Sequence, residues 1–181
     1  MRESTTRTRA LAELAVAVAL AAVLSLFRVK MPHLLYGGSV SLHSLPLLIV
    51  ALLQGVRGGI PAGAAYGLVN FLITPYYVHP VQVLLDYPLA FGAIGLAGVA
   101  SGTPSSRLGV IGGVVLGSLG RFIAHFLSGM VYFAHLAPEG TSIWKYSLAY
   151  NASYMVPETI VSLVAVALVF PRLARARAAA A

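Results

Sequence analysis

Two polar residues in apolar surroundings are the strongest sign of binding chemistry in this chain. The segment HPVQVLLDY at residues 79–87 places the carboxylate of Asp86 at the edge of an uncharged apolar stretch. A carboxylate that faces hydrocarbon is costly, so an ionisable group in this position normally serves a partner, a water-filled cavity or a ligand. Further along, Gly129 and Phe133 follow His125 at the i+4 and i+8 spacing of one helix face. We therefore expect Asp86 and His125 to belong to a binding site.

The composition indicates an integral membrane protein. Hydrophobic residues make up 59% of the 181 positions and charged residues only 9%, whereas about a quarter of the residues of a soluble domain are charged. The net charge of +7 does not point to nucleic acid, because the basic residues lie at termini and loops and form no aromatic-interleaved stripe. Without any cysteine, disulfides, thiolate metal sites and cysteine nucleophiles are excluded.

Hydropathy predicts an all-α protein with six transmembrane helices in a single domain over residues 1–181. About 20 apolar residues cross the hydrocarbon core, which places the spans at 11–27, 42–56, 58–73, 84–100, 108–133 and 152–170. The second and third spans are short, and a tight glycine-containing turn joins them. The first span contains Glu13 and has no good cleavage site after it, so we interpret it as a retained helix and not a signal peptide. Residues 1–10 and 171–181 are expected to be cytoplasmic tails.

The distribution of basic residues predicts that both termini are cytoplasmic. With that orientation the inner side carries eight basic residues and the outer side three, as the positive-inside rule requires of a multi-pass protein of the cell membrane. The inner set is Arg2, Arg7, Arg9, Arg57, Arg107, Arg172, Arg175 and Arg177, and the outer set is Arg28, Lys30 and Lys145. Arg121 lies within the fifth span and counts on neither side; Glu158 of the sixth span is its candidate partner.

This orientation brings the polar and aromatic candidates to one depth near the outer face. His125 lies about 26 Å along its helix from Arg107, at 1.5 Å per residue, and the fourth and sixth spans both begin at the outer side. The residues that converge there are Tyr76, Tyr77, Asp86, Tyr87, His125, Gly129, Phe133, Tyr146, Tyr150 and Asn151. A carboxylate, an imidazole, an amide and several rings suit a flat, cationic, hydrogen-bonding ligand.

Each candidate also has a purely structural interpretation. Tyrosines commonly anchor membrane interfaces. His125 could serve simply as a hydrogen-bonding residue between packed helices, and Asp86 could serve simply as the N-cap of its helix. The other histidines, His33, His43, His79 and His135, lack metal-like pairing and are interpreted as loop or interface residues. The pairs Gly63/Gly67, Gly109/Gly113 and Gly113/Gly117 have the small-xxx-small spacing of closely packed helices.

Several catalytic machineries are missing from the sequence. The chain has only two lysines, neither within a P-loop motif, so it cannot be an ATPase by itself. No HExxH, GxSxG or paired-carboxylate arrangement is present, and no convincing inverted repeat of a secondary transporter is visible. These observations favour a small binding subunit that is not an enzyme and needs no cofactor.

Four runs of the sequence resemble a known family. They are GGSVSLHSLPLLI, HPVQVLLDY, GSLGRFIAHFLSG and APEGTSIWKYSLAYNASYMVP, and they look like the thiamine-specific substrate-binding component, or S-component, of energy-coupling factor (ECF) transporters. The resemblance covers most of the chain. It implies a six-helix membrane protein that binds thiamine near its outer face and joins a transmembrane coupling protein and two ATPase subunits.

The resemblance also implies roles for single residues. Asp86 stands where an acidic residue, Glu in some members, grips the aminopyrimidine, and Phe133 stands where some members stack a Trp on the thiazolium. The other implied pocket residues are His125, Gly129, Tyr146, Asn151, Tyr76 and Tyr87, with Trp144 in the adjoining aromatic wall and residues 37–42 as a lid. The pair Ala15 and Ala19, like Ala17 and Ala21, resembles the alanine motif that docks on the coupling protein, although alanine-rich packing is the simpler interpretation.

Two other functions stay open at this point. A proton-coupled carrier of a thiamine-like organic cation, working alone, would use Asp86 or His125 as its proton site and would need no ATP. A structural or assembly protein would leave the outer pocket empty.

Overall fold

Six helical segments pack in the order that hydropathy predicts. The computed structural model describes residues 2–31, 34, 38–102 and 106–179, with side chains from residue 7 onward. The helices are α1 (Arg2–Leu26), α2 (Ser44–Gln54), α3 (Val56–Ile73), α4 (Pro80–Gly102), α5 (Arg107–Tyr132) and α6 (Ile143–Ala179). A short 3-10 turn, Ala134–Leu136, lies between α5 and α6. Helix α6 begins before the predicted 152, so Tyr146 and Asn151 lie on the helix itself.

Four of these helices are long and apolar enough to cross a membrane. They are Arg7–Leu26 of α1, α4, α5 and α6, with mean hydropathy between 1.7 and 2.0. Helix α2 has only 11 residues, about 16 Å at 1.5 Å per residue, which is short of a hydrocarbon core about 30 Å thick. Its side chains Leu47, Leu48 and Leu52 are buried at the centre of the bundle. The short second span is therefore an interior helix, surrounded by the longer ones.

Contacts at one end of the bundle bring the two chain ends together. Arg177, near the end of α6, pairs with Glu13 of α1 at 2.6 Å, and Gln54 at the end of α2 donates to the same carboxylate at 2.9 Å. Glu13 also pairs with Arg9 at 3.0 Å. Both ends of the described chain thus lie on one side, as an even number of spans requires. The predicted tails are helical as far as they are described, because α1 begins at Arg2 and α6 ends at Ala179.

Glycines let α3 and α5 pack directly against the backbone of α4. A Cβ on Gly67 would lie 2.5 Å from the carbonyl oxygen of Tyr87, and one on Gly63 would overlap the carbonyl of Phe91. On the other side, a Cβ on Gly113 or Gly117 would reach a carbonyl of α4 at 2.7 or 2.5 Å. The predicted packing role is confirmed for these four glycines, which hold α4 between two close neighbours.

The structure adds a hairpin that the sequence did not predict. Strands β1 (Arg28–Lys30) and β2 (Ser39–Ser41) pair antiparallel between α1 and α2, with Arg28 opposite Ser41 and Lys30 opposite Ser39. The predicted lid at 37–42 overlaps β2, while Gly37 and His33 lie outside the described residues. The hairpin sits at the end of the bundle opposite the chain termini, where it covers the site described next.

Candidate ligand-binding site

A large cavity of about 730 Å³ opens at the end of the bundle that carries the hairpin. Its size falls in the upper half of the range of about 300–1,000 Å³ for small-molecule sites. The hairpin, the loop before α4, and helices α3 to α6 all contribute to its walls. Nine predicted residues line it together: Tyr76, Asp86, Tyr87, His125, Gly129, Phe133, Tyr146, Tyr150 and Asn151.

Asp86 is held by three side-chain contacts. Its Oδ2 accepts hydrogen bonds from Gln82 Nε2 at 2.7 Å and from Ser128 Oγ at 2.9 Å. Its Oδ1 lies 3.1 Å from Nδ1 of His125. The N-cap of α4 is His79, whose side chain accepts from the amide of Val81, so the interpretation of Asp86 as a helix cap is wrong. The carboxylate is a preorganised acceptor within the wall of the cavity.

A distortion of α4 presents Asp86 to the cavity. Residues Leu85–Leu89 form one π-helical turn, and Pro88 lies inside it. Proline has no backbone N–H and cannot continue the α-helical hydrogen-bond ladder, and single π turns are frequent at functional sites. The close approach of Gly67 to the carbonyl of Tyr87 fixes this turn against α3.

One ring nitrogen of His125 lacks a hydrogen-bond partner among the described residues. Its Nδ1 faces Asp86, while Nε2 is buried and makes no hydrogen bond within the part of the chain that the structure describes. The ring lies edge-on to Phe91 and Tyr154, with centroid distances of 6.5 Å to each. A buried polar atom without a partner is costly, so a ligand that reached Nε2 with a hydrogen bond would relieve that cost.

Aromatic rings form the outer part of the wall. Tyr76 and Phe133 lie 5.8 Å apart between centroids at an angle of 31°, and Tyr146 and Tyr150 lie 5.8 Å apart at 45°. Trp144 is not among the described residues that line the cavity: it is half exposed in the first turn of α6, with Lys145 over its ring. The structure therefore separates Trp144 from the other predicted rings.

Tyr87 secures the loop before α4. Its hydroxyl donates to the carbonyl of Thr74 and accepts from the amide of Tyr76, both at 3.0 Å. The side chain is only 6% exposed and its ring packs on Phe71 at 5.0 Å. Because the hydroxyl is already engaged, Tyr87 positions Tyr76 in the cavity.

Asn151 and Gly129 join α5 to α6. The Asn151 amide donates to Ser147 O at 2.9 Å and to His125 O of α5 at 3.5 Å, and its oxygen accepts from Tyr154 OH at 2.9 Å. A Cβ on Gly129 would lie 2.3 Å from Ser147 Oγ, a contact that only glycine avoids. Both residues line the cavity, and both also set the distance between the two helices.

A buried charged cluster forms the floor. Arg121 pairs with Glu158 at 2.6 Å, which confirms the predicted pair, and Ser44 Oγ donates to the same carboxylate oxygen at 2.6 Å. The Arg121 guanidinium also lies 4.7 Å from the centroid of Phe91. Removing one partner of such a pair leaves an uncompensated buried charge.

His43 completes the floor from the loop between β2 and α2. It is a loop residue, as predicted, but only 6% exposed, with Nε2 3.3 Å from Glu158 Oε1 and Nδ1 against Ser41 Oγ. Among the described residues, no group of three or more His, Cys, Asp or Glu could hold a metal ion.

Comparison with known proteins identifies the family of this site. The family model described as "Thiamine transporter protein (Thia_YuaJ)" matches residues 11–177. This chain belongs to that family. Thiamine transporter ThiT of Bacillus subtilis (strain 168) is 40% identical over 177 residues, which cover 90% of this chain and 92% of that protein. ThiT of Lacticaseibacillus paracasei is 26% identical over 136 residues, which cover 67% and 68% of the two chains.

Two solved structures share the fold. ThiT from Listeria monocytogenes superposes with a TM-score of 0.84 at 24% identity, over 92% of this chain and 96% of that chain. The S component of a bacterial ECF transporter superposes with a TM-score of 0.65 at 18% identity, over 93% of this chain and 97% of that chain. The predicted membership of the thiamine S-component family is confirmed, and the protein is an all-α, multi-pass membrane protein.

Sequence reasoning missed several residues that line the cavity or hold Asp86. Gln82 lies four residues before Asp86, and Ser128 three residues after His125, so helical spacing carried a signal for both. Tyr154 also lies one turn beyond Tyr150 on the face that carried the predicted residues. The cavity-lining Arg28 and Lys30 had no such signal, because their position depends on the hairpin.

Proposed function

We propose that this protein is the high-affinity thiamine-binding S-component of an ECF-type uptake transporter. The observation that carries the proposal is the Asp86 carboxylate, fixed by Gln82 and Ser128 beside the unpartnered Nε2 of His125 in an aromatic-walled cavity. Membership of the thiamine transporter family supports the choice of ligand.

Thiamine combines an aminopyrimidine with a permanently cationic thiazolium, and the site offers a counterpart to each. The Asp86 carboxylate can accept the amino N–H in a charge-assisted hydrogen bond. The faces of Tyr76 and Phe133 can stabilise the thiazolium through cation–π attraction. Tyr146 and Asn151 would complete the wall around the two rings.

Energy for uptake would come from partners. The sequence contains no P-loop, and the proposed partners are a transmembrane coupling protein and two ATPase subunits. Helix α1 offers a surface for the first of these: Ala15 and Ala19 are exposed on it, whereas Ala17 and Ala21 are buried against the bundle. The structure thus leaves only the first alanine pair accessible for docking.

Calorimetry on the purified protein tests the binding proposal directly. Thiamine should bind with one site per chain, and the analogue whose 4-amino group is replaced by a carbonyl oxygen should bind much more weakly, because it offers no amino donor to Asp86. Absence of thiamine binding by a folded sample would refute the proposal. Heat measurement suits this site better than tryptophan emission, since Trp144 lies outside the cavity.

Uptake by proteoliposomes separates the proposal from a proton-coupled carrier, which the comparisons do not favour. Vesicles with this protein alone should accumulate no thiamine under a proton gradient. Vesicles that also contain a coupling protein and ATPases should accumulate it only with ATP. Gradient-driven uptake by the protein alone would support the carrier instead.

A further inference from the structure

A second, much smaller cavity lies inside the bundle, next to the charged floor of the ligand cavity. Its volume is about 10 Å³, which is close to the space that one water molecule needs. Helices α2, α4, α5 and α6 enclose it, and Leu48, Ile94 and Met155 form an apolar part of its wall. These three side chains are at most 3% exposed. The cavity is therefore an interior feature, and the polar part of its wall decides what it can hold.

Three buried polar atoms on residues of this cavity make no hydrogen bond within the part of the chain that the structure describes. They are Nε of Arg121, Oε2 of Glu158 and Oγ of Ser162, and none of the three residues is more than 7% exposed. Ser162 lies one helical turn after Glu158 on α6, so the two side chains share a face. Because a buried polar atom without a partner is costly, three of them around one cavity indicate a ligand that bonds to them all.

The contacts of Glu158 are one-sided. Its Oε1 accepts hydrogen bonds from Arg121 Nη1 and from Ser44 Oγ, both at 2.6 Å, and Nε2 of His43 lies 3.3 Å from the same oxygen. No donor among the described residues reaches Oε2. An ionised carboxylate accepts through both oxygens, and a buried ion pair is stable only when its remaining hydrogen-bonding positions are satisfied. The second oxygen of Glu158 therefore needs a donor that the described side chains do not supply.

We propose that this cavity is a binding site for one structural water molecule, which bridges Arg121, Glu158 and Ser162. A water molecule has two donor and two acceptor positions, and a buried water typically makes about three hydrogen bonds. It can accept from Arg121 Nε, donate to Glu158 Oε2 and form a hydrogen bond with Ser162 Oγ. Because Arg121 Nε carries a proton and can only donate, a metal cation could bond to only two of the three atoms.

The bridging water would join α5 to α6 by a second path beside the Arg121–Glu158 ion pair. It adds Ser162, one turn further along α6, to the polar junction that already includes Ser44 of α2. Arg121 also lines the ligand cavity, so the water would help to keep this guanidinium on Glu158. The inference does not depend on which ligand the outer cavity binds.

The first test uses an effect whose sign differs between a hydrated and a dry cavity. If the cavity is dry, Ser162→Ala removes an unsatisfied hydroxyl, and the melting temperature in detergent should rise or stay the same. If the cavity is hydrated, the same change removes a hydrogen bond to the water, and the melting temperature should fall by about 2–4 °C. We expect the fall.

Ser153→Ala is the matched control for this substitution. Ser153 is also on α6, but its hydroxyl donates to the carbonyl of Tyr150 within the helix, and it does not line the small cavity. Measuring Ser162→Ala relative to this control corrects for the higher helix propensity of alanine. A Ser162→Ala variant as stable as the control, or more stable, would overturn the proposal.

A crystal structure of the wild-type protein that shows ordered water is the second test. We expect a peak within about 2.7–3.2 Å of Arg121 Nε, Glu158 Oε2 and Ser162 Oγ. An empty cavity in a well-ordered map would overturn the proposal. A peak with five or more oxygen neighbours at about 2.3–2.6 Å would overturn it too, because those distances identify a cation such as Ca²⁺. This measurement needs no variant, so it decides the question even if Ser162→Ala fails to fold.

Discussion

The side-chain amide of Gln82 donates a 2.7 Å hydrogen bond to Oδ2 of Asp86, one helical turn further along α4. Gln82 is 1% exposed, and its Oε1 accepts from the amide of Val78 at 3.1 Å. The amide therefore cannot flip without losing both bonds. Gln82 fixes the orientation of the carboxylate, and it connects the preceding loop to the proposed thiamine contact.

Replacing Gln82 should weaken thiamine binding through Asp86. We expect Gln82→Met to cost about 1–2 kcal/mol of binding free energy, since a hydrogen bond to a charged group is removed. In the Asp86→Asn background the same change should cost much less, because the two residues act as one unit. Calorimetry on the wild type, Gln82→Met, Asp86→Asn and the double variant measures this coupling. Equal costs in both backgrounds would show that Gln82 is merely structural.

Asp86 itself should contribute most of the polar affinity. We expect Asp86→Asn to weaken thiamine binding by about 1.5–3 kcal/mol, the range for a charge-assisted hydrogen bond. Asp86→Glu should be milder, because the charge is kept. Titration of both variants with thiamine measures these changes in affinity. An Asn variant that binds thiamine as tightly as the wild type would show that Asp86 does not contact the ligand.

The aromatic wall makes a second prediction. Phe133→Ala should lower thiamine affinity by about 1–2 kcal/mol, whereas Phe133→Trp should keep or improve it, since indole gives the strongest cation–π contact. Trp144→Phe is the matched control, because Trp144 lies outside the cavity and its replacement should leave the dissociation constant unchanged. A folded Phe133→Trp variant with markedly poorer binding would mean that this ring does not face the thiazolium.

The sequence predicted the helices and most of the site because both depend on local periodicity. Hydropathy located all six helical segments. The sequence also placed Asp86 and His125 at the same depth near the outer face, and in the structure Oδ1 of Asp86 lies 3.1 Å from Nδ1 of His125. The pair Arg121 and Glu158 was predicted because two opposite charges inside spans need each other.

What the sequence could not supply depends on local distortion and on non-local pairing. The π turn around Pro88 changes the direction of Asp86 in a way that 3.6-residue periodicity does not anticipate. The three-residue strands at Arg28 and Ser41 are too short for an alternating pattern to identify. Trp144 was assigned to the aromatic wall because it is close in sequence to Tyr146. Residues that are two positions apart on a helix, however, do not share a face.

The last prediction separates binding from transport through the exposed alanines of α1. Ala15→Trp or Ala19→Trp would put a bulky ring on the surface proposed for the coupling protein, while Ser25, six residues beyond Ala19, is the one α1 residue among the described residues that line the cavity. Thiamine affinity of the isolated subunit should change little, but co-purification with the coupling protein and ATP-driven uptake should fall sharply, because small residues are what allow helices to approach closely. Ala167→Trp provides the matched control, since Ala167 is an exposed alanine on α6, and uptake by this variant should remain at the wild-type level. Normal uptake by both α1 variants would place the docking surface on another helix, whereas a loss in the α6 variant alone would place it there.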